Sequence, residues 1–183
     1  MTVIVAAHMP ATTSVPSPTK ISHYGIRTAH LKIMRDWYLN VLGAAIAFES
    51  DKVCLMTFDE EHHRVALIHA DHADIIDSRR TGIDHVALSY AQFGELVETY
   101  ERLKTSDILP SASVNHGPTT SLYYDDPDGN HLELLVDNFA SVQELQAWYE
   151  TGAHERHPGG EPFDPNEMVR RYRSGAKSPV VLT

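Results

Sequence analysis

The chain is poor in cysteine, in clustered positive charge and in long apolar runs. A single cysteine, Cys54, among 183 residues excludes an internal disulfide, and its neighbours Val53, Leu55 and Met56 mark it as a small buried hydrophobe rather than a nucleophile. Fifteen lysines and arginines stand against 25 aspartates and glutamates, a formal net charge of −10, and no basic run occurs. The attraction that draws a protein to nucleic acid or to an anionic membrane is therefore missing. No stretch approaches the ~20 apolar residues of a membrane span, and "MTVIVAAHMPATTSVPSPTK" has an apolar patch without the basic flank of an export signal. These absences leave small-molecule chemistry in the cytoplasm as the expectation. Residues 1–20, rich in Pro, Ser and Thr toward their end, read as an arm ahead of the first strand.

What is present is an internal repeat. Residues 21–46, "ISHYGIRTAHLKIMRDWYLNVLGAAI", lie over residues 83–108, "IDHVALSYAQFGELVETYERLKTSDI", at an offset of 62 without a gap. Ile21/Ile83, His23/His85, Ala29/Ala91, Tyr38/Tyr100 and Ile46/Ile108 coincide, and Met34/Leu96 and Val41/Leu103 match in character. Each copy reads as a strand followed by an amphipathic helix with apolar positions at helical spacing. Three further strands follow in each half: "AAIAFES", "KVCLMTF" and "RVALIHA" in the first, and a poorly marked strand near 108–114, "TTSLYYD" and "HLELLVD" in the second. The last two are joined by "DPDGN", whose Pro, Asp and Gly favour a tight turn. The chain is thus α+β, with two βαβββ modules at 21–70 and 83–137. Residues 138–183 form a helical C-terminal tail, in which "SVQELQAWYE" is one helix. "FDPNEMVRRYRSG" is another, capped by Asp164 with Pro165 at its first position, and "TGAHERHPGGEP" is the loop between them.

Alternation along strands sorts the side chains by face. His23 shares a face with Gly25 and Arg27, His85 with Ala87 and Ser89, and Glu133 with His131 and Leu135, while the opposite faces are more aliphatic. Two imidazoles and a carboxylate suit a non-haem Fe(II) site with open positions, and zinc accepts the same ligand types. A charged Glu133 within Leu132, Leu134, Leu135 and Val136 is costly to bury without a strong partner, and a metal ion is one. The repeat aligns "RVALI" with "HLELL", so Ala66 stands where Glu133 stands.

In these features the sequence resembles the vicinal oxygen chelate superfamily, the glyoxalase, bleomycin-resistance and extradiol-dioxygenase group. The resemblance covers about 21–137 and rests on "HYGIRT" and "DHVALS" as opening strands and "YYDDPDGNHLEL" as the closing hairpin. It implies a half-open mixed-sheet barrel around a metal site. It further implies that His23, His85 and Glu133 bind Fe(II), or Mn(II) in its place, as in small single-domain extradiol ring-cleaving dioxygenases. Glyoxalase-type relatives place a fourth protein ligand at the position of Ala66; alanine leaves the metal open, which favours the oxygenase. The resemblance also makes Tyr123, which pairing around the turn puts opposite Glu133, a substrate hydrogen-bonding residue. His116, seven residues before Tyr123, becomes the acid/base. Of the other histidines, His131 shares the face of Glu133 and reads either as lining the pocket or as an edge residue; most of His62, His63, His69 and His72, around a hairpin and the linker to the second module, read as solvated, and "HERH" at 154–157 is not taken as a metal site.

The implied activity is cleavage of a catechol-type ring by O2 to a ring-opened semialdehyde acid, in a homo-oligomer, the dimer being the simplest. Two rivals follow from the same resemblance: a metal-dependent isomerase or lyase, which would consume no oxygen, and a bleomycin-resistance-type binding protein, which would hold its ligand without metal.

Overall fold

A computed structural model describes residues 18–71, 82–180 and 182. The expectation of an N-terminal arm falls largely outside the described residues, as does His72. The chain divides into two compact units.

One unit holds the first module together with the turn at 125–131. Its elements are β1 (Tyr24–Thr28), α1 (Leu31–Leu42), β2 (Ala45–Glu49), β3 (Val53–Thr57) and β4 (Val65–His69). The sheet order is β1-β4-β3-β2, with β1 and β4 parallel and the other pairs antiparallel, so the sheet is mixed. Helix α1 buries Met34, Tyr38 and Val41, an i, i+4, i+7 stripe, and stops at Gly43, whose φ of 61° ends the helix in the left-handed conformation. The stripe packs on β3 and β4, where Cys54, Met56, Val65 and Leu67 are fully buried. Cys54 is thus the core hydrophobe its neighbours announce, and burial pushes its thiol pKa up.

The "DPDGN" turn in this unit is organised by a buried carboxylate. Asp126 accepts hydrogen bonds from the Asp128 and Asn130 amides, at 3.0 and 2.8 Å, and from the Asn130 side chain at 2.8 Å. The Tyr38 hydroxyl donates a further one at 3.0 Å. Gly129, at φ 87°, supplies the left-handed step the turn needs. Burial raises the Asp126 pKa, against the hydrogen bonds from Asn130 and Tyr38 that pull it down.

The second unit holds β5 (His85–Tyr90), α2 (Phe93–Lys104), β6 (Ala112–Asn115), and most of β7 (Thr119–Asp125) and β8 (His131–Asp137). Its strand order, β5-β8-β7-β6, repeats the first sheet's. Helix α2 starts in a capping box between Gln92 and Glu95. It buries Leu96, Tyr100 and Leu103, the repeat partners of Met34, Tyr38 and Val41, so the offset of 62 maps core onto core.

The tail joins this unit as α3 (Val142–Glu150), α4 (Ala153–Arg156), β9 (Glu161–Pro162) and α5 (Pro165–Arg173). Asp164 caps α5 as expected, accepting from the Asn166 amide, and Ser141 caps α3, accepting from the Glu144 amide. The stretch 151–162 is more ordered than a loop. It contains the α4 turn, and after Gly159 and Gly160, both at positive φ, it runs as β9 antiparallel to β6. Pro162 is tolerated there because β9 lies at the sheet edge, where a missing N–H costs no ladder bond. Helix α5 packs on α2, with Asn166 accepting from the Tyr100 hydroxyl and Lys104. Among the described residues no helix is long and apolar enough to cross a membrane.

Asp126→Ala leaves two backbone amides and the Tyr38 hydroxyl without their acceptor, so urea denaturation should show a loss of about 2–4 kcal/mol, against about 1 kcal/mol for Tyr38→Phe. A change within about 0.5 kcal/mol for Asp126→Ala would remove the turn from the stability account. A carboxyl whose pKa rises on folding favours the folded state fully below its unfolded pKa and loses that contribution as pH rises through the folded value. Asp126→Asn should flatten the stability–pH curve across that window.

Candidate metal and catalytic site

The strand order β5-β8-β7 puts β8 in the middle, so a residue on β8 can meet partners from both neighbours. Glu133 does so. Leu132, Leu134 and Val136 of β8 are buried, the alternate face that the sequence reserves for aliphatics. Glu133 projects from the other face and is itself only 5% exposed. On one side its Oε2 lies 3.0 Å from Nε2 of His85 on β5. On the other its Oε1 accepts the hydroxyl proton of Tyr123 on β7 at 3.0 Å.

Tyr123 continues the chain of contacts. Its hydroxyl oxygen lies 2.9 Å from Nε2 of His116, at the turn between β6 and β7. With its one hydroxyl proton given to Glu133, the phenol oxygen can only accept from His116, which places a proton on His116 Nε2. The rings of His85 and His116 both stand edge-on to Tyr123, with centroids 5.7 and 6.1 Å away. Tyr124 turns to the opposite face and is buried in the core, which pushes its phenol pKa up.

Four sequence-predicted residues, His85, His116, Tyr123 and Glu133, are thus joined in one line of contacts within a single unit. His23 belongs to the other unit, immediately before β1, and its ring stacks 4.2 Å from His63 and 6.4 Å from His62. His63 is consequently not a solvated residue: it is half-buried, and burial and the neighbouring imidazoles lower its pKa. His62 is exposed, as expected. Ala66, on β4, is buried and brings no donor atom to the position equivalent to Glu133. Among the described residues no three His, Cys, Asp or Glu side chains are grouped as a metal ion would need.

The other candidates have plain partners. His131 bonds Asp125 at 2.7 Å, and His69 lies 3.6 Å from Asp71. His157 of "HERH" bonds Glu161, and His154 lies beside Trp148 and Tyr149 on the α4 turn.

The donor set at Glu133 fits a metal. A nearly buried carboxylate facing an imidazole nitrogen offers one anionic and one neutral ligand with little water between them. Two residues with no mark in the sequence support the turn that carries His116. Asn115 Oδ1 accepts from the Gly117 amide at 2.9 Å and from Asn138 Nδ2 at 3.1 Å. Asn138 also donates to the Gly117 carbonyl at 2.7 Å and accepts from Thr120. Their only sequence signal is a pair of asparagines flanking a hairpin.

Residues 20–134 match the model of the family described as Glyoxalase/Bleomycin resistance protein/Dioxygenase superfamily. Biphenyl-2,3-diol 1,2-dioxygenase 2 of Rhodococcus globerulus is 42% identical over 90% of this chain and 87% of its own length. Biphenyl-2,3-diol 1,2-dioxygenase 3 of the same organism is 35% identical over the same shares. Among solved structures, a glyoxylase/bleomycin resistance protein/dioxygenase domain from Frankia sp. EAN1pec superposes with a TM-score of 0.57 at 20% identity, covering 70% of this chain and 99% of that one. A lactoylglutathione lyase from Agrobacterium tumefaciens does so at 0.54 and 16%, covering 66% and 96%. At such identities the structural matches speak for the fold alone. With two βαβββ modules in the described order and a family match across both, the chain belongs to the glyoxalase/bleomycin resistance protein/dioxygenase superfamily.

Proposed function

We propose that this protein is an extradiol dioxygenase that opens a catechol-type ring with O2, using Fe(II) bound by His23, His85 and Glu133. The observation that carries the reading is the line His85–Glu133–Tyr123–His116, in a chain 42% identical to a biphenyl-2,3-diol dioxygenase. His23 enters the ligand set because it holds in the first module the repeat position that His85 holds in the second. Mn(II) fits the same ligands. The alanine at 66 supports an oxygenase over an isomerase, because it leaves more of the metal to exogenous ligands.

Fe(II) bound there supplies Lewis acidity toward the diol and redox exchange with O2. The residues around it handle protons and position. Glu133 stays ionised as a ligand and, by accepting from Tyr123, holds the phenol in one orientation. Tyr123 lies against the metal ligand, so it hydrogen-bonds a diol hydroxyl placed beside Glu133. His116, within 2.9 Å of that phenol, is the acid/base: with Nε2 free it takes the proton the diol gives up, and the form with a proton on Nε2 returns it when the ring opens. The overall change is an addition: one O2 enters, the ring carbon–carbon bond next to the diol breaks, and both oxygen atoms stay in the product, so no further reductant is consumed.

A biaryl diol such as biphenyl-2,3-diol is the first substrate to test, given the relatives' names. The reading includes a cytoplasmic location and a homo-oligomer, simplest as a two-fold dimer. Residues 21–137 form the catalytic domain and 138–183 an extension to it.

Protein loaded anaerobically with Fe(II) should consume one O2 per biphenyl-2,3-diol and release a yellow ring-opened product; iron-replete protein that takes up no oxygen with any catechol in a substituted panel would end this reading. His23→Ala, His85→Ala and Glu133→Ala should each lose bound iron by metal analysis. His116→Ala and Tyr123→Phe should keep one iron per chain while kcat falls about 10²- to 10⁴-fold and about tenfold or more, respectively. Loss of iron from either would contradict their roles.

A further inference from the structure

The His116 turn is short, and within it the His116 amide bonds only the Thr119 carbonyl, at 2.9 Å. A hairpin tip is where a sheet is least constrained, yet the proposed acid/base has to hold its imidazole on Tyr123. The support comes from the tail. Gly117, at φ 93°, has the indole of Trp148 against its Cα: a Cβ there would lie 2.2 Å from Cη2 and 2.3 Å from Cζ2 of Trp148. Gly160, at φ 87°, is pressed on the same turn, since a Cβ on it would meet the Asn115 carbonyl oxygen at 2.4 Å and the His116 Cα at 2.8 Å. A side chain at Gly117 would require the Trp148 indole to move, and one at Gly160 the backbone of Asn115 and His116.

Trp148 is itself fixed. It is 6% exposed on α3, Phe139, Tyr149 and His154 surround its ring, and its Nε1 donates to the Leu182 carbonyl at 2.6 Å. The same C-terminal strand of chain accepts from Asn115 Nδ2 at the Val180 carbonyl, also at 2.6 Å. Trp148, Gly160, Val180 and Leu182 all lie beyond residue 134, where the family match ends.

We propose that Trp148 is a positioning residue: its indole, with the Gly160 turn, clamps the backbone of residues 115–117 and so keeps His116 Nε2 on the Tyr123 hydroxyl. The inference rests on the acid/base role given to His116 above. The ring of Trp148 meets Phe139, Tyr149 and His154 and lies on Gly117, and the clamp acts through His116. A displacement of about 1 Å at such a group costs on the order of 10²-fold in rate.

The test is a double-mutant cycle on the iron-loaded full chain with biphenyl-2,3-diol, with rates taken per bound iron. Trp148→Ala should lower kcat about 10- to 100-fold with KM within about twofold, and Trp148→Phe, which refills the space over Gly117, should recover most of that loss. In a His116→Ala background, Trp148→Ala should cost nothing further. The same loss in both backgrounds, or none in either, overturns the clamp. Where Trp148→Ala does not fold, Gly160→Ala takes its place and should show the same dependence on His116. If the wild type holds iron but consumes no oxygen, the oxygenase reading fails, and the clamp is judged on the His116 imidazole 15N signals of the full chain, assigned by their loss in His116→Gln. Those signals should broaden or shift in Trp148→Ala and hold in Trp148→Phe; unchanged signals in Trp148→Ala overturn the clamp by themselves.

Discussion

A carboxylate buried in the middle of a sheet is the constraint around which the second unit is arranged. Removing a charged carboxylate from water costs several kcal/mol unless its oxygens are engaged. Glu133 meets this condition because β8 lies between β5 and β7: one oxygen faces His85 and the other takes the Tyr123 hydroxyl. The same arrangement that stabilises the charge defines the site. Each partner is on a different strand, so the sheet's register sets the spacing between the groups, and no loop has to hold them. Rigid strands are better suited than loops to hold such groups within fractions of an ångström.

The two modules repeat one core pattern and differ in chemistry. Met34, Tyr38 and Val41 repeat as Leu96, Tyr100 and Leu103, and the strand order repeats as well. Packing demands the same apolar stripe of each helix, so duplication preserves it. At the strand position equivalent to Glu133 the first module has Ala66, whose methyl is buried at no electrostatic cost. The edge strands differ too. β6 is covered by β9 from the tail, whereas every residue of β2, including Ile46 and Phe48, is exposed. The tail is thus added to the module that carries the carboxylate.

Much of this arrangement could be read from the sequence because it is periodic. Alternation along "HLELLVD" assigns Glu133 to one face and Leu132, Leu134 and Val136 to the other, and turn chemistry at "DPDGN" fixes the pairing that brings Tyr123 to Glu133. The helix cap at Asp164 is a local signal, and it is realised locally. The order within 151–162 escaped, because a two-residue strand has no period and Gly159–Gly160 reads as a linker. Asn115, Asn138 and Trp148 escaped for a different reason. Their importance lies mainly in contacts between residues 18 to 65 positions apart in the chain, and no pattern of residue types along a sequence encodes those contacts.

That division has a physical logic. The groups that carry charge sit on strands, where the pleat fixes direction and the buried environment penalises any departure. His116, the acid/base of the proposed reading, lies instead at the turn between β6 and β7. A turn is held by what packs on it, and here that is Asn115 of the turn itself together with an indole, the Asn138 side chain and a glycine turn from the last 46 residues. The strands fix where the Glu133 carboxylate lies, and the tail packs the turn that carries His116.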